Sequence, residues 1–400
     1  MKTTPGEVLG RQFSDEPMTE NLFDAIVIGA GPAGSLAACL LARTGARVLL
    51  VERKTFPRPK VCGGCLNAHA LAALERAGLA GRVRAHGARP ITAVRICQRS
   101  RSATLALPPG LAISRAPLDA ELAAAAIDAG AVFAPETTAR VVDEGPSPAH
   151  DGWRQVTLQP RQGEKTTVRG RVILAADGLS HGSLRECASM RSLLAPRARV
   201  GLGGLVPAGA VETAAGTITM AIGRHGYVGA VDVEGGRVNV AAALDPGFLK
   251  AQPSAAAAVA SILSEAGVRF DRRLEFSDWS GTIPLTRRLP VPAARRLFVL
   301  GDAAGYVEPF TGEGMAWAFA AAEAVAPLAL CAIEGWNDEM AGAWVATYAR
   351  RIGREQWWCR GVARALRRPA LVTPIVALLK RQPGLARPLL AHLRPHANKS

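Results

Sequence analysis

Acidic residues are in short supply in this chain. Its 400 residues hold 33 Asp+Glu against 48 Lys+Arg, a formal net charge of +15. Cysteine is scarce as well. Seven thiols in this length cannot build a disulfide scaffold, so a reducing cytoplasm is the expected compartment. The first 22 residues lack the apolar core of a signal peptide. The 41 glycines follow no triplet repeat, and 49% hydrophobic with 20% charged residues excludes both collagen and a disordered chain. No nucleic-acid fold signature accompanies the basic residues, so nucleic acid is not an expected partner. No second CxxC follows Cys62 and Cys65, which leaves zinc without its usual ligand count, and no metal is expected. One nearly uncharged run, Gly314 to Ile333, reaches membrane-spanning length, but Glu323 and Pro327 interrupt it and its alanines read as a buried helix.

The positive charge is concentrated. Residues 350–400 hold twelve Lys/Arg and one acid, Glu355, so they carry +11 of the +15. Apolar clusters at 370–379 and 389–390 share this tail with Trp357 and Trp358. Such a segment reads as C-terminal helices packed on the core with arginines in solvent. It also reads as a peripheral contact with the inner face of an anionic membrane.

What is present near the start is more specific. Residues 23–28 form a short apolar strand pattern, followed by Gly29-Ala30-Gly31-Pro32-Ala33-Gly34 and an Ala/Leu-rich helix to about Arg43, with Gly45 closing it. A second strand, 47–51, ends at Glu52 and Arg53. In this arrangement Gly29 makes the tight turn, Gly31 lets a diphosphate approach the backbone, and Gly34 lets helix and strand pack closely. The helix N-terminus offers unpaired N–H groups to phosphate, and Glu52 can accept from ribose hydroxyls. The reading is a dinucleotide site.

Two later strands end in acids. Residues 171–178 finish at Asp177-Gly178, and 297–305 contain Gly301-Asp302. Pro309-Phe-Thr-Gly312-Glu313-Gly314 then opens the long alanine-rich helix. An acid at a strand end followed by a glycine turn at a helix start can hold ribityl hydroxyls and an electron-rich flavin carbonyl.

With these motifs in hand, the chain resembles the FAD-dependent oxidoreductases of the p-hydroxybenzoate hydroxylase fold, which include geranylgeranyl reductases and flavin halogenases. The resemblance covers roughly residues 22–335 and rests on GAGPAG at 29–34, Glu52, AADGLS at 175–180 and GDAAGYVEPFTGEG at 301–314. It implies FAD as cofactor, Glu52 on the adenosine ribose, Asp302 on the ribityl or diphosphate end, and a flavin cradle from Pro309 to Gly314. It further implies that Arg115, in the Arg-x-x-x-Asp119 segment, lies against the phosphates, although a helix-start residue at the surface fits that position too. Arg58 and Lys60 are candidate phosphate or substrate cations. Cys62, in Cys-Gly-Gly-Cys65, would line the site beside the flavin, the alternative being small packing residues around a tight turn. No second convincing GxGxxG exists for NADPH; the resemblance implies that NAD(P)H reacts without a Rossmann domain of its own or that a flavin reductase supplies the electrons, so NAD(P)H remains the expected donor.

The expected fold class is a mixed α/β protein. A Rossmann-type FAD-binding domain (22–90, 105–190, 291–335) is interleaved with a mixed-sheet substrate domain (91–104, 197–290), and a basic helical C-terminal region follows (336–400). The substrate strands, such as 217–222, 228–233 and 237–242, are rich in Val, Ala, Leu, Ile and Gly, so the substrate is expected to be lipophilic. Tyr227 is the candidate catalytic side chain there, beside Cys62. His181 and His225 read as loop histidines with surface or hydrogen-bonding roles. Geranylgeranyl reductases carry a Tyr-x-Trp-x-Phe-Pro stretch, and the matching place, 227–232, keeps only the tyrosine. Halogenases carry Trp-x-Trp-x-Ile-Pro, of which 278–284 is a partial echo around Trp279. The expected reaction is therefore monooxygenation of an apolar polyketide, quinone or isoprenoid. Double-bond reduction, halogenation and a non-enzymatic FAD-containing membrane adaptor are the alternatives.

Overall fold

The strands nearest the N-terminus carry almost nothing but apolar residues, and their partners explain why. In a computed structural model describing residues 21–143, 152–308, 310 and 312–386, strand β1 (Leu22–Ile28) leads through helix α1 (Pro32–Ala42) to strand β2 (Val48–Val51). Both strands are parallel and flanked on both sides. They are therefore buried on both faces and show no alternation. Helix α2 (Ala68–Arg76) precedes a long hairpin, β3 (Arg89–Gln98) and β4 (Arg101–Ala112). Helix α3 (Arg115–Asp128), strand β5 (Val132–Ala134) and strand β6 (Thr166–Ala175) return the chain to the first sheet.

The second sheet holds β7 (Val200–Pro207), β8 (Thr217–Gly223), β9 (Gly226–Val233) and β10 (Arg237–Leu244), backed by helix α4 (Ala255–Ala266). Strand β11 (Leu297–Val299) goes back to the first sheet beside β6. The long helix α5 (Gly314–Glu334) follows, then α6 (Glu339–Tyr348), α7 (Arg354–Leu366) and α8 (Pro369–Arg381).

The first sheet runs β11-β6-β1-β2-β5, all parallel, with short antiparallel additions at its edge. The second runs β7-β10-β9-β8-β3-β4, antiparallel except where β8 meets β3. In this second sheet side chains alternate. Ala221, Val228, Ala230 and Val240 pack against α4, while Met220, Ile222, Tyr227 and Ala243 face Leu366, Val372 and Val376 of the C-terminal helices.

Two expectations need adjusting. The hairpin β3–β4 lies whole in the second sheet, so the boundary expected at 104 runs through a strand pair. Gly45 does close the turn after α1, with φ 85, but the cap itself is Arg43. The basic C-terminal region packs on the core, in line with the first of its two readings. Trp344 of α6 is fully buried and donates its indole N–H to the Val299 carbonyl at 3.2 Å, and α7 and α8 wall one side of the second sheet. As the alanine content predicts, α5 is a core helix packed against α1 and α2, although its length and composition alone would allow it to cross a membrane.

Candidate functional site

The turn between β1 and α1 is built by exclusion. Gly29 has φ 103 and donates its N–H to the Val51 carbonyl at 2.7 Å. A Cβ on Gly34 would lie 1.9 Å from the Gly29 carbonyl oxygen, so no other residue fits. Gly31 is different. A Cβ there would meet nothing closer than the Arg115 and Arg58 guanidinium nitrogens, at 3.7 and 3.8 Å. Pro32 occupies the first turn of α1, and no side chain caps it. An uncapped helix N-terminus opening on free space between two guanidinium groups has the donor set and the charge for a diphosphate.

Glu52 is buried at the end of β2. Its carboxylate accepts from the Ala30 N–H at 3.1 Å and the Lys54 N–H at 3.0 Å, and Arg58 reaches it at 3.3 Å. It braces the glycine turn and retains lone pairs for ribose hydroxyls. Arg53, the next residue, is exposed and does not line the cavity described below. Arg115 is buried, not a surface helix start, and grips Asp119 through two bonds of 2.8 Å. Arg58 joins the same Asp119 at 3.4 Å, and Lys60 lies 3.6 Å from Asp302. Desolvation, with the Arg115 charge next, pushes the Lys60 ammonium below its ordinary range.

Of these groups, Lys60, Arg115 and Asp302 line one end of a cavity of about 600 Å³. Of the residues the sequence singled out, Gly31, Pro32, Ala33, Lys60, Cys62, Arg115, Gly178, Tyr227, Gly301, Asp302, Gly312 and Gly314 border it. Gly29, Gly34 and Glu52 support the turn from behind. Glu313 is the N-cap of α5 and does not border the cavity. Pro309 lies outside the described residues. Asp177, expected at the cofactor, does not border the cavity: it accepts from the Ser183 N–H at 2.8 Å, and burial drives its carboxyl above the usual carboxylate range. Its neighbour Gly178, with φ 74 and close to the Lys60 ammonium, forms the wall instead.

The rest of the cavity is apolar. Val94, Ile96 and Leu105 of the hairpin, Met220 and Ile222 of β8, and Leu366, Val372, Val376 and Leu379 of the C-terminal helices surround it. Tyr227 packs edge-on against Phe310 with ring centroids 5.3 Å apart. Tyr306, which the sequence gave no reason to single out, also lines the wall, and burial holds both tyrosine hydroxyls well above their ordinary pKa. Glu308 closes this end. Burial pushes its carboxyl up against the opposing pull of Arg199 at 3.7 Å and Arg367 at 3.5 Å.

Both cysteines border the cavity but differ in burial. Cys62 is half-buried on the cavity wall, and its carbonyl accepts from the Asn239 side-chain amide at 2.9 Å. Cys65 is buried in a two-residue strand against β4, and burial pushes its thiol up to about 12. Both thiols are free. Trp279 donates to the Leu274 carbonyl at 3.1 Å and packs with the α4 cluster, outside the cavity. His225 is half-exposed and stacks on Phe248, whereas His181 is buried rather than at the surface.

Comparison with known proteins agrees with this geometry. Residues 23–220 match the FAD binding domain family. A menaquinone reductase from Mycolicibacterium smegmatis is 49% identical over 70 residues, 16% of this chain and 17% of that protein. The alignment thus spans about a sixth of the length of that curated relative. Among solved structures, p-nitrophenol 4-monooxygenase PnpA from Pseudomonas putida is 15% identical with a TM-score of 0.74, covering 95% of this chain and 100% of that one. A geranylgeranyl bacteriochlorophyll reductase-like protein from Thermoplasma acidophilum is 20% identical with a TM-score of 0.73, covering 90% and 92%. At these identities the likeness to the two structures shows the fold.

Proposed function

From a chain that is an FAD-dependent oxidoreductase of the p-hydroxybenzoate hydroxylase fold, we propose a reductase acting on a carbon–carbon double bond of a lipophilic, chain-bearing molecule of the isoprenoid-quinone class. The observation that carries this reading is the cavity wall: apolar on nearly every side, with Cys62 in the same lining as Gly312 and Gly314. The aromatic wall that residues 227–232 seemed to lack comes from Tyr227 and Phe310 together. The partial likeness to menaquinone reductase points the same way.

In this reading the N–H groups at Gly31 and Ala33, with Pro32 between them setting the helix start without a donor of its own, hold the FAD diphosphate, and Arg58 and Arg115 balance its charge. Glu52 takes the ribose hydroxyls, and Asp302, steadied by Lys60, takes the ribityl chain. Gly178, Gly301, Gly312 and Gly314 leave room for the ring system. Bound FAD, once reduced by NAD(P)H or a flavin reductase, supplies the hydride. Saturating the double bond also needs a proton, and Cys62 is placed to deliver it from the wall. Tyr227 and Tyr306 keep their protons at neutral pH and can donate to a substrate carbonyl. The apolar strands and helices exclude water and select a lipophilic tail. Seven free thiols suit a reducing, cytoplasmic setting.

Oxygenation of the same class of substrate is the second reading, favoured by the same dry wall, because it asks for no side-chain acid or base. One experiment separates the two. The reduced holoenzyme is incubated with an unsaturated isoprenoid quinone under argon and under air, and the product mass is read. A gain of two hydrogens under argon that persists after the quinol ring is reoxidised supports the reductase. A gain of one oxygen in air alone moves the assignment to a monooxygenase, and no change in either gas contradicts both.

A further inference from the structure

The C-terminal helices wall the cavity with one face and carry a second apolar face outward. On α8, Val372, Val376 and Leu379 point in, while Leu371, Ile375 and Leu378, spaced four and three residues apart, are 46%, 48% and 49% exposed. Leu385 is also half exposed. On α7, Trp357 and Trp358 stand out at 64% and 44%. An apolar surface this continuous on a single element is uncommon unless something covers it.

Two further observations identify the cover. First, Ile375, Leu378 and Leu385 belong to both surfaces, since they line the cavity and face solvent. The cavity therefore opens through this patch. Second, the helices that carry the patch are strongly basic: Arg354, Arg364, Arg368, Lys380 and Arg381 are exposed on or beside them, and Glu355 is the one acid between 354 and 386. Two copies of so basic a face would repel each other. An anionic bilayer surface matches both the charge and the apolar stripe, with tryptophans at the depth they prefer.

We infer that the α7–α8 face docks on an anionic lipid surface and that the cavity mouth within it admits substrate directly from the bilayer. The docking stands on the surface alone. Only the identity of what enters rests on the lipophilic-substrate reading.

The test uses full-length holoprotein and flotation with phosphatidylcholine vesicles, with and without phosphatidylglycerol. Binding to the anionic vesicles alone is expected. Trp357→Ser/Trp358→Ser and Arg364→Glu/Lys380→Glu, none of them in the cavity wall, should each lower the bound fraction. The charge reversal should do so by about tenfold or more. Flavin absorbance and melting temperature report that the variants are folded. Equal binding to neutral vesicles, no binding, or unchanged binding by both variants overturns the inference. So does a fall in oligomeric state of the tryptophan variant on sedimentation, which would assign the face to a second copy. Vesicle binding is read without turnover. An active enzyme that does not float overturns the docking alone, and a protein that floats but reduces no apolar double bond overturns the reaction alone.

Discussion

Replacing Gly31 by alanine should damage cofactor binding and spare the fold. The backbone there is extended, φ −84 and ψ −175, which alanine adopts without strain. The new methyl would sit 3.7 Å and 3.8 Å from two guanidinium nitrogens, ordinary contact distances. Stability should stay within about 1 kcal/mol of the parent, the scale of the unfolded-state effect of removing a glycine. In a chain this long that is a melting shift of roughly 2–4 °C or less. Binding is another matter. The methyl occupies the approach of the diphosphate to the first turn of α1, and each charge-assisted hydrogen bond lost there is worth about 1.5–3 kcal/mol. FAD should bind at least about tenfold more weakly, and more than about a hundredfold if two bonds go. Gly34→Ala gives the contrast: its methyl would meet a backbone carbonyl at 1.9 Å, so the apoprotein itself should fail. The assay is titration of apoprotein with FAD by flavin fluorescence, beside a thermal melt of each apoprotein. Parental FAD affinity in Gly31→Ala, or an unfolded Gly31→Ala apoprotein, would refute the reasoning.

Other outcomes follow from the same geometry. Iodoacetamide at mildly alkaline pH should label Cys62 and the exposed Cys331 and leave buried Cys65 unmodified, read by peptide mass; labelling of Cys65 at the Cys62 rate would contradict its burial. Cys62→Ala should slow single-turnover double-bond reduction by tenfold or more, with FAD absorbance unchanged, and should leave an oxygenation rate intact if that is the chemistry. Glu308 has a folded pKa above its ordinary value, so its contribution to stability is fully present below the unfolded pKa and is lost as pH rises through the folded one. Glu308→Gln should therefore flatten the decline in denaturation free energy across that window, and parallel curves for the two proteins would show that Glu308 does not titrate there.

The cofactor half was readable because its signals are local. Gly29, Gly31 and Gly34 act within one turn, and Glu52 and Asp302 sit at strand ends, where sequence order and spatial order coincide. Asp177 shows the limit: the same strand-end pattern leaves it capping a short turn, while Gly178 faces the cavity. The substrate half depends on contacts between remote segments. Tyr227 of the second sheet meets Phe310 of the loop before α5, and Ile96 meets Leu366 of α7, only through the tertiary packing of segments far apart in sequence. The tail was ambiguous for a physical reason. Helix α8 is apolar on two faces, so its sequence alone does not say which one meets protein.

The most direct measurement is anaerobic mixing of the photoreduced holoenzyme with an unsaturated isoprenoid quinone whose ring has been blocked against reduction, followed at the absorbance of oxidised flavin. The account predicts that oxidised flavin returns at a rate that rises with substrate concentration, and that it does not return when the saturated analogue is added. A flavin that stays reduced with both compounds would contradict it.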